Sequence, residues 1–288
     1  MARQPDNAYV FRLDFRPPYN WKRLLEFLAA RATPGVEAVQ DGRYRRSISL
    51  SGGHGILEVS FEEQKNELAA CVQFDDPRSL LFIIERARAM FDLNADWSVI
   101  AKTLRADPAL ARAVDAEAGL RVPGGWNGFE LTVRAILGQQ VSVKGATTLA
   151  GRIAEAFGRR FSPAEGLTHL FPTPEVLADA DLTRIGLTAA RARTVRALAR
   201  AVCDRTISFD GVVDLGALRA RLCEVPGIGK WTAEYVAMRA LCDPDAFPAG
   251  DLHLRRKAGG CTERELERRS ESWRPWRAYA TMLLWQAP

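Results

Sequence analysis

The chain has 288 residues, 47% of them apolar and 26% charged, with a net charge of +5. That balance describes a globular protein of roughly two domains, or three small ones, and excludes a disordered chain, a collagen-like repeat and a disulfide-knotted miniprotein. The mild excess of Lys and Arg suits an acidic partner, nucleic acid included. Residues 1–15 lack a continuous apolar core, so no signal peptide is expected, and apolar runs such as residues 80–84 are too short to span a bilayer. Five scattered cysteines without a CxxC pair, and three histidines, speak against a disulfide framework or a zinc site. A soluble protein of a reducing cytoplasm is the expectation.

Taken in chain order, residues 9–15 alternate like a half-buried strand, and residues 21–32 place Leu24, Leu25, Leu28 and Ala32 at helical spacing. Residues 46–50, 55–61 and 67–74 read as strands between Gly-rich or charged turns, and residues 79–91 return to a helical period. Strands enclosed by two helices predict an α+β domain with an antiparallel sheet over residues 1–91. Beyond Asp92 almost no period-2 segment is evident. Helical windows follow at 97–105, 108–117, 128–137, 143–157, 174–180, 189–203, 214–223, 230–241, 251–257, 262–270 and 276–285. Their short connections predict an all-helical body of two lobes.

The sharpest local pattern is Leu222-Cys223-Glu224-Val225-Pro226-Gly227-Ile228-Gly229-Lys230-Trp231-Thr232-Ala233. A helix ends, two glycines flank one apolar residue, and a new helix opens at once. Gly227 and Gly229 are both expected to supply a positive-φ turn and close backbone approach, and amides at a helix N-terminus suit a phosphate. Ile228 would anchor the turn in the core, and Lys230 adds charge as a phosphate contact or a solvated side chain. An isolated PGxG is more simply a turn between packed helices. The whole string favours binding to a DNA backbone.

Residues 225–233 resemble the helix-hairpin-helix of the DNA glycosylase superfamily, in which a Gly/Pro-rich loop and an aspartate follow the hairpin. Here that loop is Phe247-Pro248-Ala249-Gly250-Asp251. Val133-Arg134-Ala135-Ile136-Leu137-Gly138-Gln139-Gln140-Val141-Ser142 is similar to the family's helix and wedge loop. Pro17-Pro18-Tyr19-Asn20-Trp21 and Trp273-Arg274-Pro275-Trp276-Arg277-Ala278-Tyr279 extend the likeness to the bacterial 3-methyladenine DNA glycosylase II family, over nearly the whole chain and in the same order. The resemblance implies one helical lobe from residues 92–127 and 244–288, and a second from 128–243 that carries the hairpin.

By the same resemblance, the chain would be a monomeric bacterial enzyme of the cytoplasm, bound to the nucleoid through duplex DNA containing alkylated bases. It would flip an alkylated purine and hydrolyse its N-glycosidic bond, the first step of base excision repair. Asp251 would be catalytic, because a fixed carboxylate stabilises an oxocarbenium-like sugar or orients water. Asp251 also stands where an N-cap belongs, and Glu234, Asp243 and Asp245 are nearby competitors. Phe27, Trp231, Tyr235 and Trp285 would surround the base, whose positive charge electron-rich rings attract by roughly 0.5–2 kcal/mol. From spacing alone, such an aromatic stripe is more often core.

Strand-cutting relatives carry a lysine nucleophile two residues after the second hairpin glycine. Trp231 occupies that position here, so the resemblance implies hydrolysis by water without strand-lyase activity. Gln140 matches the wedge position where a leucine stands in relatives, with Gln139 and Val141 as substitutes; all three also suit an ordinary loop. Pro226, Gly227, Ile228, Gly229, Lys230 and Thr232 would meet DNA, and the carbonyls of Cys223, Val225 and Ile228 would hold a sodium or potassium ion. No cofactor is required, and with Cys261 alone after the catalytic region no iron–sulfur cluster is expected. Arg193, Arg196 and Arg200 share one helical face with Arg191 nearby, an electrostatic footprint or a solvated face. A non-catalytic DNA-binding module and a glycosylase for deaminated or oxidised bases stay open as alternatives.

Overall fold

Alternation along the amino-terminal strands determines which side chains the sheet buries. In the computed structural model, which describes residues 8–164, 166–211 and 214–286, five antiparallel strands lie in the order β1-β5-β4-β3-β2. They are β1 (Ala8–Asp14), β2 (Glu37–Gln40), β3 (Arg43–Leu50), β4 (Gly53–Glu62) and β5 (Glu67–Phe74). Register pairs Leu13 with Leu68, Leu57 with Val72 and Tyr44 with Val59, and all six are buried. The helices α1 (Trp21–Ala29) and α2 (Leu80–Met90) cover this face with Leu24, Leu25, Leu28, Ile83 and Ala87. Residues 1–7, part of both the signal-peptide reading and the 1–91 domain, lie outside the described residues, as do 287 and 288 of the carboxy-terminal lobe.

The helical body comprises α3 (Trp97–Leu104), α4 (Pro108–Ala116), α5 (Gly128–Gly138), α6 (Val143–Phe157), α7 (Pro174–Ala178), α8 (Ala189–Cys203), α9 (Leu215–Glu224), α10 (Lys230–Ala240), α11 (Leu252–Lys257), α12 (Glu263–Ser270) and α13 (Arg277–Gln286). Polar N-caps set many of their starts: Asp96, Asp107, Asn127, Ser142, Thr188, Asp214 and Thr262 each accept a backbone N–H from the first turn. Their apolar faces divide between two cores. One joins α3, α4, α11 and α13 around the fully buried Trp273, and the other joins α5, α6, α8 and α9. Helix α10 supplies both, with Ala237 and Met238 in the first and Ala233 and Val236 in the second. Among the described residues, no helix is long and apolar enough to cross a membrane.

Two features depart from the sequence expectation. Strand β2 is absent from it, because four residues at a sheet edge are too few to display a period. A two-stranded ribbon, β6 (Arg160–Ala164) with β7 (Leu167–His169), interrupts the body expected to be all-helical. Its strands are short and irregular, and β7 is held by the amino-terminal domain: Thr168 N–H donates to the Gly35 carbonyl at 2.7 Å, and Ser47 Oγ donates to the His169 carbonyl at 2.6 Å. The ribbon is a short local hairpin, and its contacts with the amino-terminal domain hold it where strand propensity is weak.

A buried charge network fastens the sheet to the helices. Arg46 on β3 donates to Glu130 on α5 at 2.8 Å and lies 3.8 Å from Glu37, which also accepts the Tyr44 hydroxyl. Burial disfavours the charge on Arg46, but Glu130, Tyr44 and Glu37 outweigh it and hold the guanidinium charged. Removing one partner of such a pair typically costs about 3–5 kcal/mol, because the other charge is left buried.

Asp92, just after α2, bridges to the carboxy-terminal lobe. Its Oδ2 accepts the Val122 N–H at 3.0 Å and the Tyr279 hydroxyl at 2.8 Å. Burial, only partly offset by these two bonds, pushes the carboxyl up to about 6. The folded protein thus holds this proton more tightly than the unfolded chain, where Asp titrates near ~3.9. The resulting stability is fully present below the unfolded value and is lost as pH rises through about 6. Asp92→Asn should remove a pH-dependent loss of up to about 3 kcal/mol, read by urea unfolding in mildly acidic and mildly alkaline buffer.

Candidate active site

The hairpin forms where α9 stops. Val225 adopts an extended conformation, Pro226 cannot continue the helix, and Gly227 turns the chain at φ +90°. A Cβ on Gly227 would collide with Thr194 Oγ1 on α8, so both conformation and space demand glycine. Ile228 is buried in the core beside Leu222 and Val225, as expected. Gly229 corrects the expectation: its φ is −104°, and a Cβ there would meet nothing within 4 Å. It serves as N-cap of α10 without any side-chain cap, so side chains leave the first amides of α10 uncovered.

Thr232 is buried, whereas Lys230 reaches Glu267 and lies 3.9 Å from Glu263, both on α12. The bond to Glu267 raises the ammonium above the ordinary lysine value. Lys230 is therefore an exposed side chain that also pairs with the carboxylates of α12.

At the far end of α10, the loop leading to α11 is fixed by its own turns. Phe247 N–H donates to Glu234 at 3.0 Å, Ala249 N–H to the Phe247 carbonyl at 2.9 Å, and Asp251 N–H to the Pro248 carbonyl at 2.9 Å. Phe247 packs edge-on against Trp273 at 5.8 Å. Asp251 emerges as the N-cap of α11, with Oδ1 accepting the Leu254 N–H at 2.7 Å. Trp231 Nε1 donates to Oδ2 at 3.0 Å, and Trp285 Nε1 faces Oδ1 at 3.4 Å. Three N–H donors thus hold one carboxylate in place.

The competing carboxylates are committed elsewhere. Glu234 and Asp243 pair with Arg219, and Asp245 pairs with Arg274 and Arg277. Each works as a strut. Asp251 has no cationic partner of that kind among the described ion pairs and lines a cavity of about 520 Å³ together with Trp231, Tyr235, Trp285 and His253.

Trp231 stacks on Tyr235 with ring centres 5.7 Å apart, and Tyr235 lies 6.2 Å from Trp285. The stripe expected from spacing is therefore both core and cavity wall: Tyr235 and Trp285 pack on the carboxy-terminal core while lining the opening. Phe27 is the exception. It packs against the carboxy-terminal core, with Arg31 3.7 Å and Arg239 4.6 Å over its ring, and is not among the lining residues. Its ring already engages two cations of the protein itself.

Those arginines escaped the sequence reading. Arg239 follows Trp231 and Tyr235 at four-residue steps along α10, a spacing that could have flagged it. Arg31 leaves the end of α1, and Arg134 points from α5 to Thr33. Arg239 is buried, donates to the Tyr235 hydroxyl at 2.9 Å and also reaches the Pro123 carbonyl. Burial alone would raise the Tyr235 phenol, yet Arg239, Arg31 and Arg134 together bring it below the ordinary tyrosine value. The carboxylate thus contacts the aromatic wall through indole N–H groups, and the guanidiniums contact it through the phenol.

Between α5 and α6 the chain turns at Gln140, exposed and left-handed at φ +57°. Gln139 points inward instead, its amide bonded to the hairpin. Val141 is exposed and lines the cavity. Of the basic face on α8, Arg191 holds the Gln139 carbonyl, Arg196 donates to the Ala180 carbonyl and Arg200 pairs with Asp179. Arg193 is exposed.

The chain is similar to known proteins over nearly its whole length. Residues 10–127 match the AlkA N-terminal domain, and residues 133–276 match the HhH-GPD superfamily base excision DNA repair protein. The chain is 43% identical, over 95% of its length, to the probable bifunctional transcriptional activator/DNA repair enzyme AlkA of Mycobacterium tuberculosis, but spans only 56% of that relative. It is 33% identical to DNA-3-methyladenine glycosylase 2 of Escherichia coli, with 96% of each chain covered. A 3-methyladenine DNA glycosylase from Archaeoglobus fulgidus shares its fold, with a TM-score of 0.78 at 22% identity, covering 96% of this chain and 97% of that one. By sequence, with an AlkA N-terminal domain preceding the helical body, the chain belongs to the HhH-GPD superfamily of base excision DNA repair proteins.

Proposed function

We propose that the chain is a DNA glycosylase that releases alkylated, 3-methyladenine-like purines from duplex DNA by hydrolysis, without cutting the strand. The observation that carries this reading is Asp251, fixed by three N–H donors in an aromatic cavity next to a hairpin whose helix-start amides no side chain caps. Those amides, with the positive end of the α10 dipole behind them, suit a DNA phosphate. The carbonyls of Cys223 and Val225 sit where α9 ends and that of Ile228 in the hairpin that follows, and the Val225 carbonyl accepts the Ile228 N–H at 3.0 Å. Neutral oxygens at a helix C-terminus fit sodium or potassium, which would brace the hairpin. We further propose that the chain acts on DNA as a monomer in the cytoplasm.

In the reaction, Gln140 fills the stack vacated by the flipped nucleotide, and the base enters between Trp231, Tyr235 and Trp285. As the N-glycosidic bond breaks, its electron pair moves to the base and positive charge develops on the sugar. Asp251 stabilises that charge and orients water toward the anomeric carbon. An alkylated purine begins as a cation, which the nearby guanidiniums disfavour and the aromatic faces favour. Bond cleavage moves this charge off the base and onto the sugar, beside Asp251, so the arginines and the carboxylate favour the same displacement. Only interactions stronger in the transition state than in the ground state accelerate the step.

Asp251→Asn should lower single-turnover release of 3-methyladenine by at least ~10²-fold while leaving duplex affinity nearly intact. Release at the wild-type rate would overturn the assignment. With Trp231 in the position of a nucleophilic lysine, borohydride should trap no covalent DNA adduct, and abasic strands should stay whole until heated in alkali. An adduct abolished by Lys230→Ala would show lyase chemistry.

The two hairpin glycines should separate by experiment. Gly227→Ala should lose about 1–3 kcal/mol of stability as well as DNA affinity, since its φ and its neighbour Thr194 both resist a side chain. Gly229→Ala should fold with near wild-type stability and weaken binding to damaged and undamaged duplex alike. Thermal melts and fluorescence anisotropy on the same samples check both outcomes.

A further inference from the structure

One side chain ties the turn between α5 and α6 to the hairpin. Gln139 Nε2 donates to the Gly227 carbonyl at 2.9 Å and to Thr232 Oγ1 at 3.0 Å. A carbonyl can only accept, so Gly227 fixes which way the amide faces. On its other side, the Gln139 backbone carbonyl accepts from Arg191 Nη2 on α8 at 2.6 Å. Helix α8 also supplies Thr194, against which Gly227 is packed. Turn, hairpin and α8 therefore close a triangle of contacts with Gln139 at one corner.

The next residue is Gln140, exposed and held in the left-handed region at φ +57°. Such a conformation persists when neighbouring contacts over-determine it. The turn's own backbone bonds are long, with Gln139 N–H to Ile136 at 3.3 Å and Val141 N–H to Gly138 at 3.4 Å. The contacts that reach outside the turn at this point are those of Gln139.

We infer that Gln139 is a positioning residue for base extrusion: it fastens the turn carrying Gln140 to the hairpin, so that gripping the backbone and filling the vacated stack occur as one rigid movement. The inference rests on the glycosylase reading above and deepens it. A wedge is effective when it stands at a set distance from the phosphates that the hairpin grips, because a side chain free to swing loses the orientation that makes its insertion favourable. Without the tie, the helix-start amides still face the phosphate, and Asp251 and the aromatic wall remain in place. The loss falls on flipping.

The test compares wild type with Gln139→Ala on one lesion placed in fully paired duplex and in a mismatched bulge, where extrusion is already partly accomplished. The ratio of paired to bulged single-turnover rates should fall roughly tenfold, the scale of losing one to two hydrogen bonds. Affinity for undamaged duplex should keep its wild-type salt dependence. The fluorescence rise of 2-aminopurine next to the lesion, which reports unstacking, should shrink in parallel. Thr232→Val, which removes one of the two acceptors, should give a smaller change in the same ratio.

A merely structural role would lower both rates by the same factor and leave the ratio and the fluorescence signal unchanged, and that result overturns the proposal. Should Gln139→Ala fail to fold, Gln139→Glu keeps the shape, loses the N–H donors and carries the same comparison. A wild-type protein that releases no base would overturn the glycosylase reading, and the coupling would then be decided by the fluorescence signal alone.

Discussion

Everything in the candidate site depends on holding one carboxylate immobile without pairing it to a cation. A carboxylate neutralised by an arginine could not respond to charge developing on a substrate, and one without partners would swing or draw in water. Asp251 avoids both. Its partners are a backbone N–H and two indole N–H groups, which fix its orientation without supplying a unit positive charge. Neighbouring acids show the other use of the same residue type, since Glu234, Asp243 and Asp245 are all paired with arginines and brace the fold.

The N-cap role of Asp251 and the catalytic role proposed for it reinforce each other. A cap accepts a hydrogen bond from the first turn and so has a defined rotamer before any substrate arrives. The two tryptophans that complete its shell belong to different helices, Trp231 opening α10 and Trp285 near the end of α13. The site is therefore assembled only when both helices have packed on the carboxy-terminal core. Preorganisation of this kind moves the cost of orientation from the reaction to folding.

Much of this was legible in the sequence because it is local. The hairpin string, the Pro-Ala-Gly loop before Asp251 and the four-residue step from Trp231 to Tyr235 each fit within a few turns of chain. What escaped is long-range. Arg134 and Arg239 come from α5 and α10 and Arg31 from the turn after α1, and nothing in their local spacing says that they converge on one phenol. Strand β2 and the β6–β7 ribbon were hidden for a different reason: both belong to short hairpins, too brief or too irregular to display a period. Gly229 shows the opposite error: a shared residue type suggested a shared conformation, whereas only Gly227 is left-handed.

The arginines also explain why the amino-terminal domain is part of the site. Phe27 and Arg31 come from α1 and its carboxy-terminal extension, while Arg46 and Glu37 come from the sheet and line the same cavity. Phe27 lies beneath two guanidiniums, so its ring packs on the arginines, whereas Trp231, Tyr235 and Trp285 line the cavity. Three positive groups gathered in a half-buried space are unfavourable unless they share neutral acceptors and a counter-charge. Here the acceptors are the hydroxyls of Tyr235 and Thr33 and the carbonyls of Phe27 and Pro123, and the counter-charges are Glu37 and Glu130 bridged by Arg46. The salt bridge that joins the sheet to α5 thus also sets the electrostatics of the cavity. Loosening the sheet would disturb the charges lining the cavity before it disturbed Asp251, whose partners Leu254, Trp231 and Trp285 all lie in the helical body.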